Sequence, residues 1–130
     1  MSFDIRFDSE KKILIVTVGE TFTLEEFQAV MKEITRSKQY PPNTDALWDL
    51  RALDFTKIDA IYLRGILQIR KQYPERNAAR LAHIVKGDFT FGMMRMYEIY
   101  SDLEHDLLHQ KVGVFKNISE GEAWMIAQKR

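Results

Sequence analysis

Asp54, Thr56 and Asp59 stand just ahead of an apolar periodic stretch and offer two kinds of chemistry. The plainer one is structural. Short oxygen-bearing side chains at a helix start accept hydrogen bonds from free backbone N–H groups and suit the positive end of the helix dipole. The other is phosphorylation of Thr56, because a phosphate on a helix N-terminus is held by the same N–H groups. Asp54 and Asp59 would repel that phosphate, so capping is the expected role. His105 and His109 are spaced to share one helix face, which is half of a zinc site, with Glu104 and Asp106 beside them. No third ligand is identifiable, so the two are expected to be solvated, and no metal or cofactor is expected. His83 stands among apolar residues and is expected to be packed and hydrogen-bonded rather than catalytic.

A second set of candidates follows from position. Arg51 comes after the third expected strand, and Lys86, Gly87 and Asp88 come after the fourth. Open α/β sheets bind ligands at the C-terminal ends of their strands, which makes these two loops the default site. An enzyme working there would need Arg51, Asp54 and Asp88 around one concavity. No glycine-rich phosphate loop, G-x-S-x-G or H-E-x-x-H is present. The expectation is therefore a binding module, with an enzyme at these loops as the alternative.

The stretch from Phe89 to Leu103 is the most unusual. Met93, Met96, Tyr97, Tyr100 and Leu103 recur at core spacing on a helix, while Phe91, Met94 and Ile99 do not all fit that face. Surplus apolar residues on a helix mean deep burial, a partner surface or a ligand-contacting wall, and methionines with aromatics suit an adaptable one. Phe91, Met94 and Ile99 are the expected surface for a partner protein or a second copy in a homodimer. A small apolar ligand would be met by Arg51, Asp54, Thr56, Asp88, Phe89, Phe91 and Met94.

The elements that must position these residues are legible as patterns. Phe3 to Phe7 alternates, and Lys12 to Val18 is richer in branched apolar residues, so an antiparallel hairpin is expected across Asp8-Ser9-Glu10. Thr23-Leu24-Glu25-Glu26 has the form of a capping box, flanked by Phe22 and Phe27 at staple spacing. Leu24, Phe27, Val30, Met31 and Ile34 then give one apolar helical face. A strand is expected over Asp45 to Leu50, and a second box at Thr56-Lys57-Ile58-Asp59. That box opens a helix faced by Ile58, Ile61, Tyr62, Ile66 and Ile69, which ends at Tyr73-Pro74. Leu81 to Val85 and Lys111 to Phe115 are the remaining expected strands. The last is followed by a box at Ser119-Glu120-Gly121-Glu122 that opens a final helix carrying Trp124. The order ββαβαβαβα predicts one α/β domain over residues 1–130, with a mostly parallel sheet and an antiparallel edge.

Composition sets the outer limits. The chain is 45% hydrophobic and 29% charged, which is ordinary for a globular domain. Nineteen basic residues balance nineteen acidic ones. Zero net charge argues against nonspecific nucleic-acid binding, which needs a basic field, and against a basic membrane-surface patch. There is no cysteine, so disulfides and thiolate chemistry are excluded. No apolar run approaches a membrane span, and Met1-Ser2-Phe3-Asp4 lacks the pattern of a signal peptide, so a cytoplasmic setting is expected.

The C-terminal half also carries a resemblance. Arg80-Leu81-Ala82-His83-Ile84-Val85-Lys86-Gly87-Asp88, Met93-Met94-Arg95-Met96-Tyr97-Glu98, Val112-Gly113-Val114-Phe115-Lys116 and Glu122-Ala123-Trp124-Met125 are similar to the SpoIIAA-like branch of the STAS superfamily. Trp48-Asp49-Leu50 on the third strand agrees in the N-terminal half. The resemblance implies a STAS fold and a binding or regulatory role. Phosphoregulated STAS antagonists carry an Asp-Ser at the helix after the third strand. This sequence has Asp54-Phe55-Thr56 and Asp59-Ala60 there, so the resemblance brings no phosphoserine. The likeness of this branch to lipid-carrying CRAL-TRIO domains implies an apolar, lipid-like ligand.

Overall fold

The computed structural model describes residues 3–76, 78–103 and 111–128. The chain opens with the hairpin β1 (Phe3–Asp8) and β2 (Ile13–Val18), paired antiparallel from Phe3↔Val18 to Asp8↔Ile13. The Asp8 carboxylate closes the turn by accepting from the N–H groups of Glu10 and Lys11 at 3.1 and 3.0 Å. Three crossover helices follow: α1 (Leu24–Arg36), α2 (Ala60–Arg70) and α3 (Asp88–Leu103). They alternate with β3 (Asp45–Asp49), β4 (Arg80–Ile84) and β5 (Lys111–Phe115), and α4 (Ile118–Gln128) ends the order. The expected α/β order ββαβαβαβα stands.

The sheet runs β1-β2-β3-β4-β5 in space, with every pair after the hairpin parallel. Three right-handed crossovers that all step the same way across a sheet leave their helices on one face. The core agrees. Leu14, Val16, Ala46, Trp48 and Leu81 pack with Phe27 and Val30 of α1, Leu63 and Leu67 of α2, and Met94 and Tyr97 of α3. The alternate strand residues Ile13, Leu47, Ala82 and Ile84 pack with Met125 of α4 on the other face. Gly121 lets α4 come close, because a Cβ there would stand 2.8 Å from Ile84 Cδ1.

Local motifs form as expected where backbone groups and nearby side chains close them by themselves. The Thr23–Glu26 box is formed in both directions at 3.1 Å, and Phe22 and Phe27 meet edge to face. The second box is not formed. Phe55–Lys57 is a separate 3₁₀ turn capped by Asp54, and α2 is capped by Asp59, which accepts from the Tyr62 N–H at 2.8 Å. The third box sits two residues earlier than expected. Asn117 accepts from the Glu120 N–H at 2.9 Å, and its amide donates to the Glu120 carboxylate.

Two helix faces also differ from expectation. In α2 the buried residues are Leu63, Ile66, Leu67 and Arg70, whereas Ile61 is 79% exposed. In α3 they are Met94, Tyr97 and Ser101, whereas Leu103 is 76% exposed. Both helices carry apolar residues on more than one side, so spacing alone does not select the inward one.

Candidate functional site

The residues expected to form a site meet only in part. Arg51 clasps Asp49, with Nε and Nη2 each 2.8 Å from a carboxylate oxygen. That side-chain clasp holds the Asp49 carboxyl below the usual carboxylate range. Asp54 accepts from both the hydroxyl and the N–H of Thr56, at 2.7 and 3.0 Å, which lowers its own pKa. Asp88 is exposed and paired with Lys116, whose ammonium also lies 5.5 Å from the Phe91 ring centroid. The three polar candidates are thus spread over three places and surround no common cavity. The reason is topological: the winding never reverses in this sheet, so no crevice opens where crossover helices diverge to opposite faces.

The apolar candidates separate as well. Phe89 and Ile99 are exposed, Phe91 is half-buried, and Met94 is only 5% exposed. Met94 belongs to the core, so Phe91, Met94 and Ile99 form no continuous outer surface. Thr56 lies in the 3₁₀ turn rather than on the N-terminus of α2, which Asp59 already caps. His105 and His109 lie outside the described residues. Among the described residues no group of three or more His, Asp and Glu side chains is placed to hold a metal.

Arg51 and Lys86, from the loops after β3 and β4, do line one open depression of about 480 Å³ with Thr17, Val18, Asp49 and Ala52, which neither Asp54 nor Asp88 joins. A more apolar concavity lies elsewhere. A cleft of about 520 Å³ lies between the segment after β2, Glu20 to Glu25, and the segment after β3, where Leu53, Asp54, Lys57 and Ile58 join Tyr62 of α2. A smaller cavity of about 40 Å³ lies beneath it, among Phe27, Trp48, Arg70, His83, Met94 and Tyr97. Phe22, Leu53, Ile58 and Tyr62 line both. The Tyr62 hydroxyl donates to the Phe22 carbonyl, tying α2 to the segment after β2. Burial, and then the nearby Glu26, push the Tyr62 hydroxyl up to about 12, so it remains a donor.

The floor of the inner cavity is polar in an apolar shell. Arg70 is 3% exposed, and its guanidinium lies 5.0 Å from the Phe27 centroid and 5.3 Å from that of Trp48. His83 meets Tyr97 edge to face at 5.3 Å. Among the described residues, Trp48 Nε1, Arg70 Nε and His83 Nδ1 are buried without a hydrogen-bond partner, and the buried Tyr97 hydroxyl has no neighbour in good hydrogen-bond geometry, although the Arg70 side chain acts on it as a donor. Burial, helped by the Arg70 charge, pushes His83 down to about 3, so the imidazole is neutral. Burial raises the Tyr97 hydroxyl, while Arg70 beside it pulls the other way. Of the expected ligand contacts, only Asp54 at the cleft and Met94 at the inner cavity lie here. Arg70 was missed, although the signal was present: an arginine follows Leu63, Ile66 and Leu67 at the spacing of one helical face.

No family profile matches the sequence, and no curated protein matches it. Among solved structures, the chain is similar to an uncharacterized protein of the DUF3478 family from Shewanella loihica PV-4, described as having a SpoIIAA-like fold. The TM-score is 0.58, and the alignment covers 94% of this chain and 90% of that one. The fold is SpoIIAA-like. At 14% identity the likeness is one of fold, and it agrees with the sequence resemblance. Among the described residues of this SpoIIAA-like chain, no helix is long and apolar enough to cross a membrane.

Proposed function

We propose that the chain is a STAS-like, single-domain binding module of the cytoplasm, without catalytic activity, that holds a small lipid-like molecule. The binding place is the cleft after β2 and β3. The observation that carries this reading is the sharing of Phe22, Leu53, Ile58 and Tyr62 between the outer cleft and the inner cavity. Small-molecule sites are commonly concavities of about 300–1,000 Å³ with apolar walls and few polar groups, and the cleft falls in that range. Phe22, Leu53 and Ile58 supply such walls.

The test is a thermal-shift series with n-alkanols of increasing length on delipidated protein, alongside native mass spectrometry of freshly purified protein. Long alkanols are expected to raise the Tm of the wild type and to leave Ile58→Trp, which fills the shared neck, unmoved. A flat response across the series, with no co-purifying small molecule, would remove the reading.

A further inference from the structure

We infer that Arg70 anchors the anionic head of a carboxylate amphiphile, which enters the inner cavity head first with its tail lying back along the cleft. This deepens the binding reading above and rests on it.

The argument starts from charge. A buried guanidinium is ordinarily compensated by a carboxylate, because removing the ion from water costs far more than packing returns. Arg70, at 3% exposed, forms no salt bridge with any acid among the described residues, and its Nε has no acceptor. Its neighbours do not compensate it. Phe27 and Trp48 offer ring faces, His83 is neutral, and Arg76, also 3% exposed, carries the same sign and feels the Arg70 charge. Asp45, whose charge acts on the neighbouring Arg76, is engaged by the Arg80 N–H at 3.0 Å and by the Arg80 guanidinium.

The hydrogen-bond inventory points the same way. Among the described residues, Arg70 Nε and Trp48 Nε1 are donors without acceptors, and the Tyr97 hydroxyl, which the Arg70 side chain approaches as a donor, has no acceptor for its own proton; all three residues line one cavity. What is missing is an acceptor with negative charge and several lone pairs. A carboxylate is acceptor-only, offers two oxygens and pairs with a guanidinium in a planar, two-point geometry. Water would satisfy some donors and leave the charge unbalanced.

Size then selects the orientation. The inner cavity of about 40 Å³ has room for a few water-sized groups, which suits a carboxylate but not a chain. The remaining apolar part must lie past Phe22, Leu53, Ile58 and Tyr62 in the cleft of about 520 Å³.

The experiment compares dodecanoate with 1-dodecanol, which share a tail and differ in head charge. Binding to delipidated Trp124→Phe protein is followed by titration calorimetry and by emission of Trp48, then the only tryptophan. Dodecanoate is expected to bind at least about tenfold more tightly than dodecanol, and Arg70→Met to erase that preference while keeping alcohol binding. Equal affinity of the wild type for acid and alcohol would overturn the anchor and leave the binding site standing. Binding of neither would overturn both. An acid preference that survives in Arg70→Met would assign the anion to another group and sink the inference. Should Arg70→Met fail to fold, Arg70→Lys serves. It keeps the charge without the two-point geometry, and an undiminished acid preference there would also overturn the proposal.

Discussion

The Arg70 guanidinium lies 5.3 Å from the centre of the Trp48 ring, so a charged group from the end of α2 is stacked on an aromatic from the middle of the sheet. A cation over an indole face is stabilised by the ring quadrupole, by up to about 2 kcal/mol when desolvated. That is less than the several kcal/mol that desolvation of an ion costs. The balance at Arg70 is therefore unfavourable on these contacts alone.

Replacing Arg70 with an apolar side chain of similar length should consequently leave stability intact. In denaturant unfolding, Arg70→Met is expected within about 1 kcal/mol of the wild type or above it, whereas Arg70→Ala, which opens a cavity, should cost about 2–4 kcal/mol. A large loss in Arg70→Met would mean that the guanidinium already has a full complement of partners.

His83 sets an acid limit. Its folded-state pKa of about 3 lies below the ordinary 6.5 because burial excludes the charged form. Below about pH 6.5 the unfolded chain takes up a proton that the folded chain refuses, so stability falls with pH until about 3, where both are protonated. The slope from this one group approaches about 1.4 kcal/mol per pH unit. Unfolding at pH 7 and pH 4.5, compared between wild type and His83→Leu, should show the steeper acid loss in the wild type. Parallel losses would show that His83 is charged or solvated in the native state.

Gly121 reports how tightly α4 is pressed on the sheet. A methyl group meets only the flexible end of Ile84, and alanine improves helix propensity by about 1 kcal/mol, so Gly121→Ala should be close to neutral. Gly121→Leu must displace Ile84, Ala82 and Leu47 and should cost about 1–3 kcal/mol, read as a lowered Tm. Equal behaviour of the two variants would contradict the close approach.

Helix caps offer a cleaner comparison of the two sequence-level boxes. Thr23→Ala removes a bond that is formed and should cost about 1 kcal/mol, and Asp59→Ala should do the same at α2. Thr56→Ala, which caps no α-helix, should cost less than either in the same denaturant midpoint measurement.

These contrasts mark where the sequence was legible. The hairpin, the Thr23–Glu26 box and the strand Lys111–Phe115 rest on residues that are neighbours along the chain, and each was readable without the fold. The boxes around Thr56 and Ser119 were misplaced because several oxygen-bearing side chains crowd those helix starts, and small differences in turn geometry decide which one accepts. In α3, Met94 lies inside and Leu103 outside, against expectation, because apolar residues occur on more than one side of the helix and spacing does not single out the inward one.

The α/β order, the helix-bearing sheet and the neutral, cysteine-free composition were determined by the sequence alone, because alternation, helical spacing and charge are properties of adjacent residues. Which residues face each other across the interior was decided only by tertiary structure. Arg70, Trp48, His83 and Tyr97 come from α2, β3, β4 and α3. No local pattern links them. They meet because α2 and α3 pack on the face of the sheet that carries Trp48 and His83, and desolvation there turns an ordinary arginine into a buried charge with no acid paired to it among the described residues.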